Sequence, residues 1–230
     1  MPAIGQKFPK AALGAAFFVF ALILIPLSPQ AAPAQDQALI AAAERGDSAA
    51  VQQLLREGAG ASAHDARGRT ALLAATYANR VQAARLLIAA GADVNAKDSI
   101  GDSAFLYAGA EGRNEILQMT LAAGADLRST NRYGGTALIP AAHHGHVETV
   151  KILLATAIDK DHVNRLGWTA LLEAVILGDG GPGHTEIVRL LIEAGANVNL
   201  ADRDGVTPLA HARRRGFAAI GRMLEAAGAR

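Results

Sequence analysis

Residues Gly178 to Thr185 read GDGGPGHT and come within one residue of a nucleotide-binding loop. In the pattern G-x-x-x-x-G-K-[ST], backbone N–H groups cradle phosphates and the lysine reaches the β- and γ-phosphates. Here His184 stands in the lysine's place. Seven histidines invite metal chemistry, and His143, His144 and His146 lie close together. Zinc or copper needs three or four converging ligands, and at a helix end those spacings do not gather three rings around one ion. His64, His162 and His211 are scattered, and Asp202 and Asp204 belong on a solvated turn tip. No serine has an assignable histidine and acid partner. Cysteine is absent, which excludes disulfides, thiolate metal sites and thiol catalysis. The chain reads as a non-enzyme, with no metal or cofactor expected.

Charge supports a bland surface. Basic and acidic residues number 22 and 21, so no global field favours nucleic acid or an anionic membrane. The Arg213 to Arg215 run lacks the aromatic platform that single-stranded nucleic acid uses. The start of the chain is different material. Lys7 and Lys10 precede an uncharged run from Ala11 to Leu27, followed by the small-x-small sequence Ala32-Pro33-Ala34. Residues 1–34 therefore read as a secretory signal peptide cut after Ala34, which places the mature chain in the periplasm or outside the cell. The alternative is an uncleaved anchor in the inner membrane, but a spanning helix wants about 20 apolar residues and Pro26 shortens this run.

What positions the remaining candidates is a repeat. DARGRTALLAAT begins at Asp65, DSIGDSAFLYAG at Asp98, NRYGGTALIPAA at Asn131 and NRLGWTALLEAV at Asn164, each 33 residues after the last. DRDGVTPLAHAR follows at Asp202, 38 residues on. Second halves match as well: AARLLIAAGADVNAK, EILQMTLAAGADLRS and EIVRLLIEAGANVNL. Gly68, Gly101, Gly134, Gly167 and Gly205 fit a turn that needs positive φ. Thr70, Ser103, Thr136, Thr169 and Thr207 sit where a hydroxyl caps a helix, with Pro208 at the first helical position. Gly112, Gly145, Gly216 and Asn79 are expected to end the first helix, and Gly91, Gly124, Gly195 and Gly228 the second. Ala157 breaks that last series, so the fourth exit turn should be irregular.

These residues resemble ankyrin repeats. The resemblance implies an all-α solenoid of about six stacked β-turn and helix-turn-helix units, over 35–64, 65–97, 98–130, 131–163, 164–201 and 202–230. No unit can bury its apolar face alone, so stability comes from stacking. The motif histidine is replaced by Leu73, Leu106, Ile139, Leu172 and Ala210, which puts its inter-repeat bonds in doubt. Gln37, Glu44 and Gln52 at one end, with Arg213 to Arg215 and Arg222 at the other, suit polar end caps.

The frame answers the glycine loop. LLEAVILG holds the place of a first helix and HTEIVRLLIEAG that of a second, with five extra residues between Gly178 and His184. A phosphate-binding loop needs a strand before it, and the register supplies a helix. Lengthening such a loop costs only on the order of 1 kcal/mol of closure entropy. The insertion is either a harmless excursion or a binding loop, and the second reading is taken because such insertions gather on functional faces.

The resemblance implies that recognition lies on turn tips and exposed ends of first helices. The positions so mapped are Tyr77, Arg132, Tyr133, His143, His144, Arg165, Leu166, Trp168, Ile176, Leu177 and, from the insertion, Asp179. Trp168, the single tryptophan, is expected to be exposed and to anchor a partner on the concave face of the fourth and fifth units. Its alternative is to fold down over the insertion. The expected function is binding of a protein partner, with no nucleic acid and no small-molecule substrate. Some exported bacterial ankyrin proteins are associated with oxidative-stress defence, a setting the resemblance also suggests. An inhibitor or immunity role is the alternative, and a nucleotide- or metal-dependent enzyme the third reading.

Overall fold

The structure, a computed structural model, describes residues 31–230. The first 30 residues, which carry most of the signal-peptide reading, lie outside them, and the cut placed after Ala34 falls within the first helix. None of the described helices is long and apolar enough to cross a membrane.

Among the described residues, twelve helices follow in chain order. The first helices of successive units are α1 (Ala31–Arg45), α3 (Ala71–Tyr77), α5 (Ala104–Ala110), α7 (Leu138–His143), α9 (Ala170–Ile176) and α11 (Pro208–Arg214). The second helices are α2 (Ser48–Arg56), α4 (Val81–Ala89), α6 (Asn114–Ala122), α8 (Val147–Leu154), α10 (Pro182–Glu193) and α12 (Ala218–Ala226). Each first helix packs on the first helix of the next unit, and each second helix on the next second helix. The described residues form no sheet, only an isolated bridge between His64 and Thr70.

One continuous core runs the length of the stack. First helices supply it with Ala71, Ala74, Ala104, Ala108, Ala141, Ala170 and Ala174, all buried, so backbones approach closely. Leu73, Leu106, Ile139 and Leu172, standing where the repeat pattern has histidine, are buried too, and apolar packing replaces the bonds that histidine would make. The expected end-cap residues at both ends are exposed.

The glycine and asparagine expectations hold: every turn and helix-ending position named for them has positive φ, Asn79 included at 52°. Thr70, Ser103, Thr169 and Thr207 cap α3, α5, α9 and α11 through their hydroxyls. Thr136 does not cap α7; its Oγ1 is buried without a partner. The cause is Pro140, four residues on, which has no N–H to give the Thr136 carbonyl. Ile139 N–H turns to that carbonyl instead, at 3.2 Å, and the hydroxyl is orphaned. The fourth exit turn is irregular as expected. Elsewhere an alanine N–H closes back on the helix, as Ala92 does on the Leu87 carbonyl. Here the Thr156 hydroxyl intervenes, donating to Leu153 O at 2.6 Å and accepting from Ile158 N–H at 3.2 Å.

The insertion is not wholly a turn. Pro182 opens α10, which at 12 residues outruns the eight or nine of α4, α6, α8 and α12. Proline at the first helical position loses no bond, so part of the extra sequence becomes an added turn of helix.

Candidate functional site

An Asx turn at the head of each unit from the second to the sixth builds the site. The side-chain oxygen of Asp65, Asp98, Asn131, Asn164 or Asp202 accepts N–H groups two and four residues on. The residue two on is thrust outward as the tip, leaving Tyr133 54% and Leu166 47% exposed. The residue four on is drawn down. Trp168 holds that position, and its N–H returns to Asn164 Oδ1 at 3.0 Å. It is therefore half-buried, not exposed. Turn tips are also linked along the stack, Ser99 N–H to Arg67 O and Arg165 N–H to Tyr133 O.

Two hydrogen bonds commit Asn164 Oδ1 as an acceptor, so the amide nitrogen must face the other way as a donor. It meets Glu173 Oε1 at 2.8 Å. Glu173 sits inside α9, 6% exposed, on the floor of a cavity of about 360 Å³ between the third, fourth and fifth units. Tyr107, Ile139, Pro140, His143 and His144 form its walls, while Arg132, Tyr133, Leu166 and Leu177 stand at its mouth. Leu177 is 41% exposed.

Burial pushes the Glu173 carboxyl up to about 7 against the opposing Asn164 hydrogen bond. His143 Nδ1 lies 3.7 Å from Glu173 Oε2, beyond hydrogen-bond reach. Burial, then the neighbouring His144 and His184, hold His143 below its usual value, so the two form no ion pair at neutral pH. Arg132 is engaged by Asp102, at 3.5 Å, and lies 5.2 Å from the ring centroid of Tyr133. His144 Nδ1 meets the Ala110 carbonyl at 2.7 Å.

Six of the eleven mapped residues thus meet at one cavity: Arg132, Tyr133, His143, His144, Leu166 and Leu177. The others go elsewhere. Tyr77 donates to Asp98 Oδ2 at 2.7 Å and lines a neighbouring hollow. Arg165 lies over Gly134 and donates to Arg132 O at 3.0 Å. Ile176 is half-buried, its carbonyl taken by Arg215. Asp179 accepts from Gly181 N–H and pairs with His184 Nδ1, both at 2.8 Å, so it holds the insertion together. Glu173 was missed by reasoning from tips and helix ends. Its signal is an acid within the otherwise apolar ALLEAVI of a buried helix.

The nucleotide-loop resemblance has a geometric answer. Helix α9, not a strand, leads to Gly178. His184 points its Nε2 at the His143 carbonyl, 2.8 Å away, and its ring lies against Gly145 and Gly178. No cluster of three or more candidate ligands able to hold a metal occurs among the described residues.

The profile of the ankyrin repeats family (three copies) matches residues 13–98 and 105–202. The chain belongs to the ankyrin-repeat family. An ankyrin repeat domain from Acinetobacter baumannii AYE is 58% identical, with a TM-score of 0.82 over 84% of this chain and 98% of that one. The ankyrin repeat domain of Bcl-3, a member of the IkappaB protein family, is 30% identical with a TM-score of 0.75, covering 84% and 86%. YahD, an ankyrin repeat protein of Escherichia coli (strain K12), is 53% identical over 57 residues. That match spans 25% of this ankyrin chain and 28% of YahD's own length. Ankyrin repeats serve generally as protein–protein interaction modules, and that coarse role applies to this array.

Proposed function

We propose that this ankyrin array is a non-enzymatic module that docks a protein partner in the groove of its third, fourth and fifth units, and that it works in the periplasm. The observation that carries the docking site is the cavity over Glu173, whose mouth presents Tyr133, Leu166 and Leu177 to solvent. Exposed large apolar side chains beside a pocket mark interaction surfaces, and tyrosine is among the residues enriched at interface hot spots. The insertion contributes by fixing His184 under His143, a wall of the cavity. Support for export is Lys7, Lys10, the apolar run to Leu27 and Ala32-Pro33-Ala34.

Capture from a periplasmic extract tests the reading. The Tyr133→Ala/Leu166→Ala/Leu177→Ala protein is expected to lose the partner that wild type retains, while Trp168→Ala keeps most of it. Equal recovery by the triple variant removes the groove as the site. Intact mass of protein from the periplasm should correspond to a chain starting at Gln35; a mass that includes residues 1–34 removes the cleavage. Assaying the captured partner with and without the array separates docking from inhibition.

A further inference from the structure

We infer that the docked partner sets a basic side chain, arginine or lysine, against Glu173. This rests on the groove reading above and names the chemistry that the cavity selects. Glu173 is almost wholly buried, yet only one of its oxygens is satisfied: Oε1 by Asn164. Oε2 accepts no hydrogen bond among the described residues, and its nearest ionisable neighbour, His143 Nδ1, stands 3.7 Å off. Oε2 is not sealed off but faces the cavity, where a guanidinium or ammonium group can reach it with a charge-assisted bond.

The surroundings match a cation. Asp102 and Glu111 line the same cavity, and its one arginine, Arg132, is already engaged by Asp102 and held near Tyr133. Asp102, Glu111 and Glu173 thus share the cavity with one arginine among the described residues. Tyr107 and Tyr133 supply aromatic surface, which attracts a cation, and Leu166 and Leu177 suit the aliphatic stem of a long side chain. At about 360 Å³ the space lies at the small end of the range of about 300–1,000 Å³ for ligand sites, which fits one inserted side chain. A helix, about 10 Å across, would instead need an open trough.

Peptides selected from a random phage-displayed library on the immobilised protein provide the test. Those retained are expected to carry one essential basic residue. Replacing an essential arginine by citrulline, which keeps the shape and removes the charge, should weaken Kd at least tenfold. Glu173→Gln, which keeps an acceptor for Asn164, should weaken it by a similar factor, and the two changes together should cost little more than either. Circular dichroism establishes that the variant is folded. If citrulline and Glu173→Gln leave binding intact while Tyr133→Ala and Leu166→Ala abolish it, the basic side chain is refuted and the groove stands. If no peptide is retained, or none responds to any of these variants, both fall.

Discussion

The fifth and sixth units share one frame and solve it in opposite ways. Each opens with an Asx turn, caps its first helix with threonine and carries a partner nine residues after the Asx: Asn164 with Glu173, Asp202 with His211. In the sixth unit acid and imidazole meet at 2.7 Å. Burial raises Asp202, but hydrogen bonds from Val206 N–H and His211 outweigh it and hold the carboxyl below its usual value. In the fifth the positions are exchanged. The turn residue is a neutral amide, the acid sits on the helix, and burial raises it. The same spacing gives a self-contained pair in one unit and an acid with spare capacity in the next. Glycine differs too. Gly216 ends α11 with positive φ and open space where a Cβ would go. Its counterpart Gly178 has no positive φ, and its role is close approach: a Cβ there would lie 2.1 Å from Ala174 O and 2.6 Å from the His184 ring.

The largest expected effect follows from that contrast. Gly178→Ala should destabilise by about 3 kcal/mol, because a backbone carbonyl cannot yield, whereas Gly216→Ala should cost about 1 kcal/mol for its strained φ alone. Thermal or urea unfolding measures both, and equal losses would erase the distinction. Next is Asn164→Asp, which sets a second acid against Glu173. A loss of about 2 kcal/mol is expected at pH 8, shrinking at pH 5 as a proton is taken up. Adding Glu173→His should restore most of it by transplanting the sixth unit's pair; no recovery would mean the neighbouring helices, not the pair, set the energy.

The pH profile is the gentlest test. The folded pKa of Glu173, about 7, lies above the usual 4.5, so the native state binds the extra proton between those values. Stability from this group is full below about 4.5 and lost as pH rises through about 7. A decline of about 2 kcal/mol is expected, discounted because the cavity leaves Oε2 open to water, and absent in Glu173→Gln. Asp202 has the opposite sign: its contribution is present above 3.8 and lost as pH falls through its lowered folded value. Parallel slopes for wild type and Glu173→Gln would show that the carboxyl is not desolvated as its burial implies.

Much of this molecule was legible as text. The 33-residue period located turns, caps and helix ends, because glycine, asparagine and hydroxyl side chains act through bonds within a few residues. Thr136 shows the limit even of local reading, since Pro140 cancels its cap from four residues away. Trp168 and Leu166 show another. Both lie on one turn, but the Asx bonds decide which of the two points outward.

The sequence alone determined the period, the helical units, the bends at glycine and the absence of thiol chemistry, since each depends on residue type or local spacing. Only the tertiary structure decided that Tyr107, Tyr133, His143 and Glu173, spread over three units, share one cavity. It also decided that an acid in α9 is left with one free acceptor. Burial is a property of what neighbouring units remove from water, and no single unit carries that information.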